Sequence, residues 1–445
     1  MTRQRKVQLL LWAYFWLLIF EGALRKWVFP GLSNPLLVVR DPVCILAIAL
    51  GWDVLRQSGW WKWVVGIWAI GIVAVVLAVF AGHGDAFTAV YGARILLLHF
   101  PLIFLYALFF DRDDIWSFAK AILIVAIPMT FLIALQYSLP QEHFWNRAPG
   151  GDEGGGFDGA LGKFRPPGTF SFTNGVSSFY PLAAGAFAAW VTAVPARRGG
   201  IWIWASAAAL ILALPVSISR TIFFNYALVV VFAIVAAALS GRAVKNFLIG
   251  SMAVALLFLA VSQLALFQDA REAFNARWQM ANEAEGGGEG VAGVLANRVG
   301  GTFLNGLEMI PEVPLAGAGI GLGTNVGAKL STGDRAFLIA EGAWGSLIGE
   351  LGPILGVLLL LWRISLAAMM AAAAVVQSMR KNTLPLILGS TALPALVLGG
   401  TAQPTALGFL VVGTGLMLAA CNPTRGMLEQ RQSAIHFSES QPSHV

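Results

Sequence analysis

Charge is what this chain has least of. Lys, Arg, Asp and Glu together make up 12% of its 445 residues, about half the share typical of a soluble globular chain. That deficit excludes a soluble enzyme and a charge-rich disordered chain. It also excludes a nucleic-acid-binding domain, which needs a dense basic surface, so no nucleic acid is expected as a partner. Cysteine is nearly absent. Cys44 and Cys421 stand far apart in or beside apolar runs, which excludes a disulfide framework. There is no C-x-x-C, and His83, His99 and His143 are too scattered for metal-ligand spacing, so neither a metal nor another cofactor is expected. No Ser/His/Asp arrangement, fixed-period repeat or strict apolar/polar alternation is visible.

What the chain has instead is hydrocarbon. Apolar residues make up 58% of it, and the mean hydropathy is +0.74. A helical span needs ~20 apolar residues to cross a bilayer core. Apolar runs of about that length lie near 7–22, 36–52, 64–82, 89–110, 115–138, 175–195, 201–217, 221–240, 247–267, 342–362, 383–399 and 405–421. Backbone in lipid must satisfy its own hydrogen bonds, so these runs read as helices. The pattern predicts an all-α, polytopic membrane bundle of about twelve spans, forming one transmembrane domain over residues 1–421. Two long polar loops interrupt it, at 139–174 and 268–340, and residues 422–445 read as a disordered tail. The first apolar run lacks a small-residue cleavage site and is followed by Glu21 and Arg25-Lys26, so it reads as a retained span. Trp60, Trp61 and Trp63 flank a span, as interfacial anchors do.

Orientation follows the basic residues of the short connections. Arg3, Arg5, Lys6, Arg197, Arg198, Arg242 and Lys245 fall on one side and place both termini in the cytoplasm. Both long loops then face outward. Arg25, Lys26 and Arg40 run against this rule and need another reason to be where they are. The nearby acids Glu21 and Asp41 either neutralise them or line a cavity with them.

Three arginines stand near predicted membrane boundaries. Arg165 opens Arg-Pro-Pro-Gly-Thr-Phe-Ser (165–171), whose prolines stiffen the backbone. Arg220 lies in Ser-Ile-Ser-Arg-Thr (217–221), a short turn between two apolar runs. Arg298 lies in Asn-Arg-Val-Gly-Gly (297–301), ahead of a short helix to Ile310. A guanidinium at such depth is costly unless it meets an acid, water or an anion, and it is suited to bidentate phosphate binding. Snorkelling to headgroups is the other reading for each. Glu341 and Glu350 sit in Glu-Gly-Ala-Trp-Gly-Ser-Leu-Ile-Gly-Glu-Leu-Gly (341–352). On a helix they are separated by about 900° of rotation and ~13–14 Å, which excludes a paired-carboxylate glycosidase site. Glu341 reads either as a general base or as an acid complementing a helix N-terminus. Glu350 reads as a deeper hydrogen-bonding partner for neighbouring helices. Gly-Ala-Gly-Ile-Gly-Leu-Gly (317–323) reads as a tight turn more readily than as a phosphate loop. The glycine- and acid-rich stretches at 150–156 and 286–290 lack a calcium-loop pattern and read as lids or linkers.

The order of these motifs resembles O-antigen polymerases and ligases. The 165–174 segment is similar to the Arg-x-x-Gly-Thr-Phe that ends a periplasmic loop there. Ser-Arg-Thr (219–221) resembles the turn that opens a later span. Asn297-Arg298 followed by residues 308–321 is similar to that family's arginine, short helix and Pro-Leu-x-Gly-x-Gly. Residues 341–352 resemble its His-Asn-x-x-Leu-x-x-x-x-Glu-Leu-Gly helix, with Glu341 where ligases carry His. The likeness covers about residues 115–365. It implies a GT-C-type glycosyltransferase in the bacterial inner membrane, metal-independent and inverting. The implied donor is an undecaprenyl-diphosphate-linked glycan, and the acceptor is a sugar hydroxyl on the periplasmic side. By motif position Arg220, Arg298 and Arg165 would grip the diphosphate and Glu341 would act as base. The departure at Glu341 favours polymerisation over ligation to a lipid or protein. A non-enzymatic transporter of lipid-linked sugar is the remaining alternative. Other polysaccharide-assembly proteins are the implied partners.

Overall fold

A computed structural model describes residues 2–152, 157–193, 200–241, 243–285, 300–324, 327 and 342–422. Its helices are α1 (Arg3–Ala23), α2 (Asp41–Gln57), α3 (Trp61–Phe80), α4 (Ala86–Arg94), α5 (Pro101–Phe109), α6 (Arg112–Ser138), α7 (Thr173–Ala193), α8 (Gly200–Val216), α9 (Arg220–Ser240), α10 (Ala243–Val261), α11 (Ala265–Glu285), α12 (Gly301–Glu308), α13 (Ala343–Met379), α14 (Leu384–Leu398) and α15 (Pro404–Cys421). Among the described residues eight helical segments are long and apolar enough to cross a membrane, or nine if the bent pair α10–α11 is one span. The chain is a multi-pass, all-α membrane protein. Each expected apolar run lies largely within a helix. However, α8 has 17 residues and α14 has 15, short of a full crossing on their own.

The helix ends define two faces. On one, the start of α1 meets the end of α2 (Arg3 Nη1 to Asp53 Oδ2, 2.6 Å), and Gln8 donates to the carbonyl of Phe109 and to Asp114. On the other, Arg40 reaches the carbonyl of Pro404, Gln136 reaches Gly168, and Ser177 meets Ser219. The second face also carries a feature absent from the sequence reading, an antiparallel hairpin of β1 (Phe157–Ala160) and β2 (Lys163–Arg165). Its turn places Leu161 and Gly162 at positive φ, 53° and 72°. We call this the hairpin face.

Helix α15 is the most enclosed of the candidate spans and packs mainly on α5, α14 and α7. Small residues let it do so: a Cβ on Gly415 would meet the Tyr106 ring and one on Gly408 would meet Arg40. Two π turns bring charged groups into the bundle. Leu24–Val28 extends α1, and Ile95–His99 joins α4 to α5 ahead of Pro101, which has no N–H to give the ladder. A π turn fits an extra residue into the helical ladder. Here the first buries Arg25 and Lys26, and the second buries His99.

The sequence predicts that the second loop begins at about Gln268. At that point α10 bends by 97° into α11, so the first part of the expected loop is helical, to Glu285. Leu266, Phe267, Ala270, Ala273, Phe274 and Trp278 recur at helical spacing among charged residues. That pattern makes an amphipathic helix that packs on α8 and β1.

The tightest junction lies between α1 and the segment after the hairpin. A Cβ on Gly22 would stand 2.4 Å from the backbone nitrogen of Ser171 and 2.4 Å from the carbonyl oxygen of Thr169. Backbone cannot yield there as a side chain can. Gly22→Ala is expected to destabilise the purified protein by about 1–3 kcal/mol, as overpacking does. Gly31→Ala, which meets nothing within 4 Å, should leave the thermal midpoint unchanged. A fluorescence-detected melt of both variants checks this.

Candidate functional site

The cations that defied the topology rule are buried and engaged. Arg40 pairs with Glu21 at 3.0 Å, donates to the Tyr14 hydroxyl and caps the carbonyl of Pro404 at 2.7 Å. Arg25 lies 3.7 Å from Glu21 and donates to the carbonyl of Ser33 and to Ser171 Oγ, both at 2.8 Å. Lys26 donates to the carbonyl of Gly168 at 2.6 Å and sits over the Trp27 ring. Next to them Arg94 donates through Nη1 to both carboxylate oxygens of Asp41, and His99 bridges Asp41 and the Tyr14 hydroxyl. Of the two readings of Glu21 and Asp41, the structure supports neutralisation. The cations hold the segment Arg-Pro-Pro-Gly-Thr-Phe-Ser, and Thr169 adds a bond from its hydroxyl to the carbonyl of Ile19.

Arg220 is buried at the first position of α9. The turn before it is strained: Ile218, a fully buried β-branched residue, has φ +46°. Gly159 of the hairpin lies against Ile218; a Cβ there would stand 2.8 Å from Ile218 Cδ1. Arg277 of α11 donates to the carbonyls of Asp158 and Gly159. Ser219 takes the N-cap position yet makes no capping bond. Its hydroxyl meets Ser177 Oγ at 3.1 Å instead. A guanidinium in the first turn stands at the positive end of the helix dipole, where an anion is favoured and a cation is not.

An apolar chamber of about 720 Å³ is walled by α7, α8, α9 and α10. Leu214 on α8 and Tyr226 on α9 line it, and the turn that joins those two helices is Ser217–Arg220. Phe274 and Trp278 of α11 make tilted and edge-to-face ring contacts with Phe223 and Phe224 beside that turn. Its lining is almost wholly apolar, with Thr192, Tyr226 and Ser251 the polar residues in it.

Arg165 lies on β2, half-buried and in register with Phe157 of β1. Through that hairpin it is linked to the Ile218 turn, so the structure brings Arg165 and Arg220 to one face. Arg298 and Glu341 lie outside the described residues. The described chain resumes at Gly300 and Gly342, which lead into α12 and α13, and these helices stack through Phe303 and Trp344 with ring centroids 4.5 Å apart. Helix α13 in turn packs along α9.

Glu350 departs from its expected role. It is buried, but its carboxylate accepts from the backbone N–H of Gly323, and Ala318 and Gly319 donate to the carbonyls of Gly349 and Glu350. Its partner is therefore the glycine-rich run rather than a neighbouring helix. The run is pressed so close that Gly92 and Gly321 leave no room for a Cβ on either. This is the tight packing turn the sequence suggested. Just beyond Glu350, α13 is broken at Gly352 (φ 77°) and Pro353. Arg363 is buried and binds the carbonyls of Ala395, Leu396 and Gly399 at the end of α14. It caps that helix.

Sequence reasoning missed Gln136, Ser177 and Ser219 as contributors and did not see the chamber. The signal for Lys26 and Arg25 was present, in their violation of the charge rule. No family model, curated protein or solved structure matches the chain.

The buried and exposed ion pairs should differ in worth. Glu21→Ala removes the only carboxylate within 4.0 Å of Arg40 among the described residues, and breaking such a pair costs about 3–5 kcal/mol. Arg3→Ala removes a half-exposed pair with Asp53 and should cost about 0–1 kcal/mol. Denaturant unfolding in mixed micelles measures both.

Proposed function

We propose that this chain is a polysaccharide polymerase of the bacterial inner membrane. It transfers a glycan from undecaprenyl diphosphate to an acceptor sugar hydroxyl on the periplasmic side. The observation that carries the reading is that one helix, α9, begins at a buried arginine and, from Tyr226 to Ala233, walls an apolar chamber of about 720 Å³. That pairing of anion site and hydrocarbon slot suits a polyprenyl diphosphate. The four motifs resembling O-antigen polymerases and ligases support it independently. In this reading the twelve apolar runs are twelve spans of a GT-C-type bundle, the hairpin face is periplasmic and both termini are cytoplasmic.

The chemistry is a displacement at the anomeric carbon. The acceptor oxygen attacks that carbon, the bond to the diphosphate oxygen breaks, and configuration inverts. Glu341 takes the acceptor's proton, since a general base needs reach first and a suitable pKa second. Arg220, Arg298 and Arg165 hold the departing diphosphate, whose charge grows as the bond breaks. The hairpin and α11 border the cleft in which the glycan lies. The apolar chamber takes the first prenyl units.

Arg220→Ala and Arg298→Ala should each abolish polymer in purified protein supplied with lipid-linked repeat units, while membrane insertion is normal. Glu341→Gln should slow transfer by about 10²–10⁴-fold, the usual worth of a general base. Ala188→Trp, which fills the chamber, should weaken donor binding. A product ladder supports polymerisation. A single transfer would redirect the reading to a ligase, and movement of lipid-linked sugar without bond formation would redirect it to a transporter. Chain-length profiles unchanged in both arginine variants would overturn the clamp.

A further inference from the structure

Gly168 is held from two helices at once. Its N–H donates to Gln136 Oε1 of α6 at 2.8 Å. Its carbonyl accepts from Gln136 Nε2 at 3.2 Å and from Lys26 Nζ at 2.6 Å. The glycine takes φ +60°, and a Cβ on it would lie 2.8 Å from Met129 Sδ. Both gripping side chains are buried, Lys26 to 1% exposure and Gln136 to 3%.

Two features make this more than a loop tie. Gln136 alone already gives the Gly168 peptide a partner for its N–H and its carbonyl, so stability does not call for the lysine. A buried ammonium is costly unless well paired, and among the described residues Lys26 has no carboxylate within 4.0 Å. Its carbonyl bond and the Trp27 ring at 4.4 Å are what hold it.

The position of the grip gives it a use. Upstream, two prolines with fixed φ connect Gly168 to Arg165. Downstream, five residues lead to Thr173 and α7, whose Ser177 bonds Ser219 beside Arg220. Gly168 is thus the fixed point between the two described arginines of the candidate anion site.

We propose that Lys26 and Gln136 are positioning residues of that site: by clamping the Gly168 peptide they set where Arg165 and Arg220 stand for a diphosphate headgroup. The proposal rests on the reading of that site as a headgroup site, and the experiment separates the two. The affinities of the full-length protein for undecaprenyl diphosphate and for undecaprenol are measured in nanodiscs. Wild type should prefer the diphosphate carrier. Lys26→Met and Gln136→Leu should each weaken the diphosphate carrier by about tenfold, the scale expected of a small misplacement, and leave undecaprenol unchanged. A merely structural role would lower the melting temperature and leave the ratio of the two affinities intact. That ratio unchanged in the folded variants overturns the proposal. If Lys26→Met does not fold, Gln136→Leu tests the same peptide from the other helix. If wild type shows no preference for the diphosphate carrier, the headgroup reading itself falls and takes this proposal with it.

Discussion

A positive charge inside a bilayer protein has to be answered by something, and the hairpin face of this molecule is organised by how its buried cations are answered. Glu21 answers Arg25 and Arg40, Asp41 answers Arg94, and a backbone carbonyl answers Lys26. None of these contacts lies within a single helix beyond the Glu21–Arg25 pair. Several tie the N-terminal helices to a segment far along the chain: residue 25 to 171, 26 to 168, 40 to 404. Hydrophobic burial cannot choose among helix partners in lipid, where the surroundings are as apolar as the side chains. Directed contacts of this kind can, and they fix which helix ends share a face.

The same need for partners explains the irregular backbone. Non-helical chain at membrane depth is tolerated where protein satisfies it. The glycine-rich run 317–323 gives its N–H groups to Gly349, Glu350 and the Glu350 carboxylate. The end of the short helix α14 is met by Arg363. The break at Gly352 and Pro353 lies against the carbonyl of Leu315. Glycine is required at these places because backbone approaches backbone, and a Cβ on Gly317 or Gly352 would fall within 2.4 Å of a neighbouring main-chain atom.

Much of this is legible in the sequence, for definable reasons. Apolar runs of about 20 residues announce helices in lipid, so the helices that contribute most to the bundle core follow from hydropathy alone. The hairpin does not, because four- and three-residue strands with glycines at 159 and 162 show no period. Helix α11 escapes hydropathy because its polar face lowers its mean, although its apolar residues keep helical spacing. Charge counting does not reveal that Arg363 caps the carbonyls at the end of α14. It singles out Arg25, Lys26 and Arg40 as needing another reason without being able to name their partners, which for Arg40 lie 19 to 364 residues away. Of the candidate site, Arg165 and Arg220 come to one face through contacts no spacing rule encodes. Arg298 and Glu341 fall outside the described residues.

On the proposed reading, the electrostatics of the anion site also set its limits. The donor's diphosphate is a diester. When the glycosidic bond breaks, one of its oxygens gains charge, so guanidinium groups bind the departing carrier better than the arriving donor. That difference is what accelerates the step, and the same difference slows release. A cation at the positive end of α9 works in the opposite sense, because the dipole that attracts the diphosphate repels Arg220. Contacts from Ser177 and the hairpin hold the turn, strained as it is at Ile218, against that repulsion. A site held in place by its scaffold rather than by its ligand can let that ligand go, and the contacts that fix Gly168 belong to the scaffold.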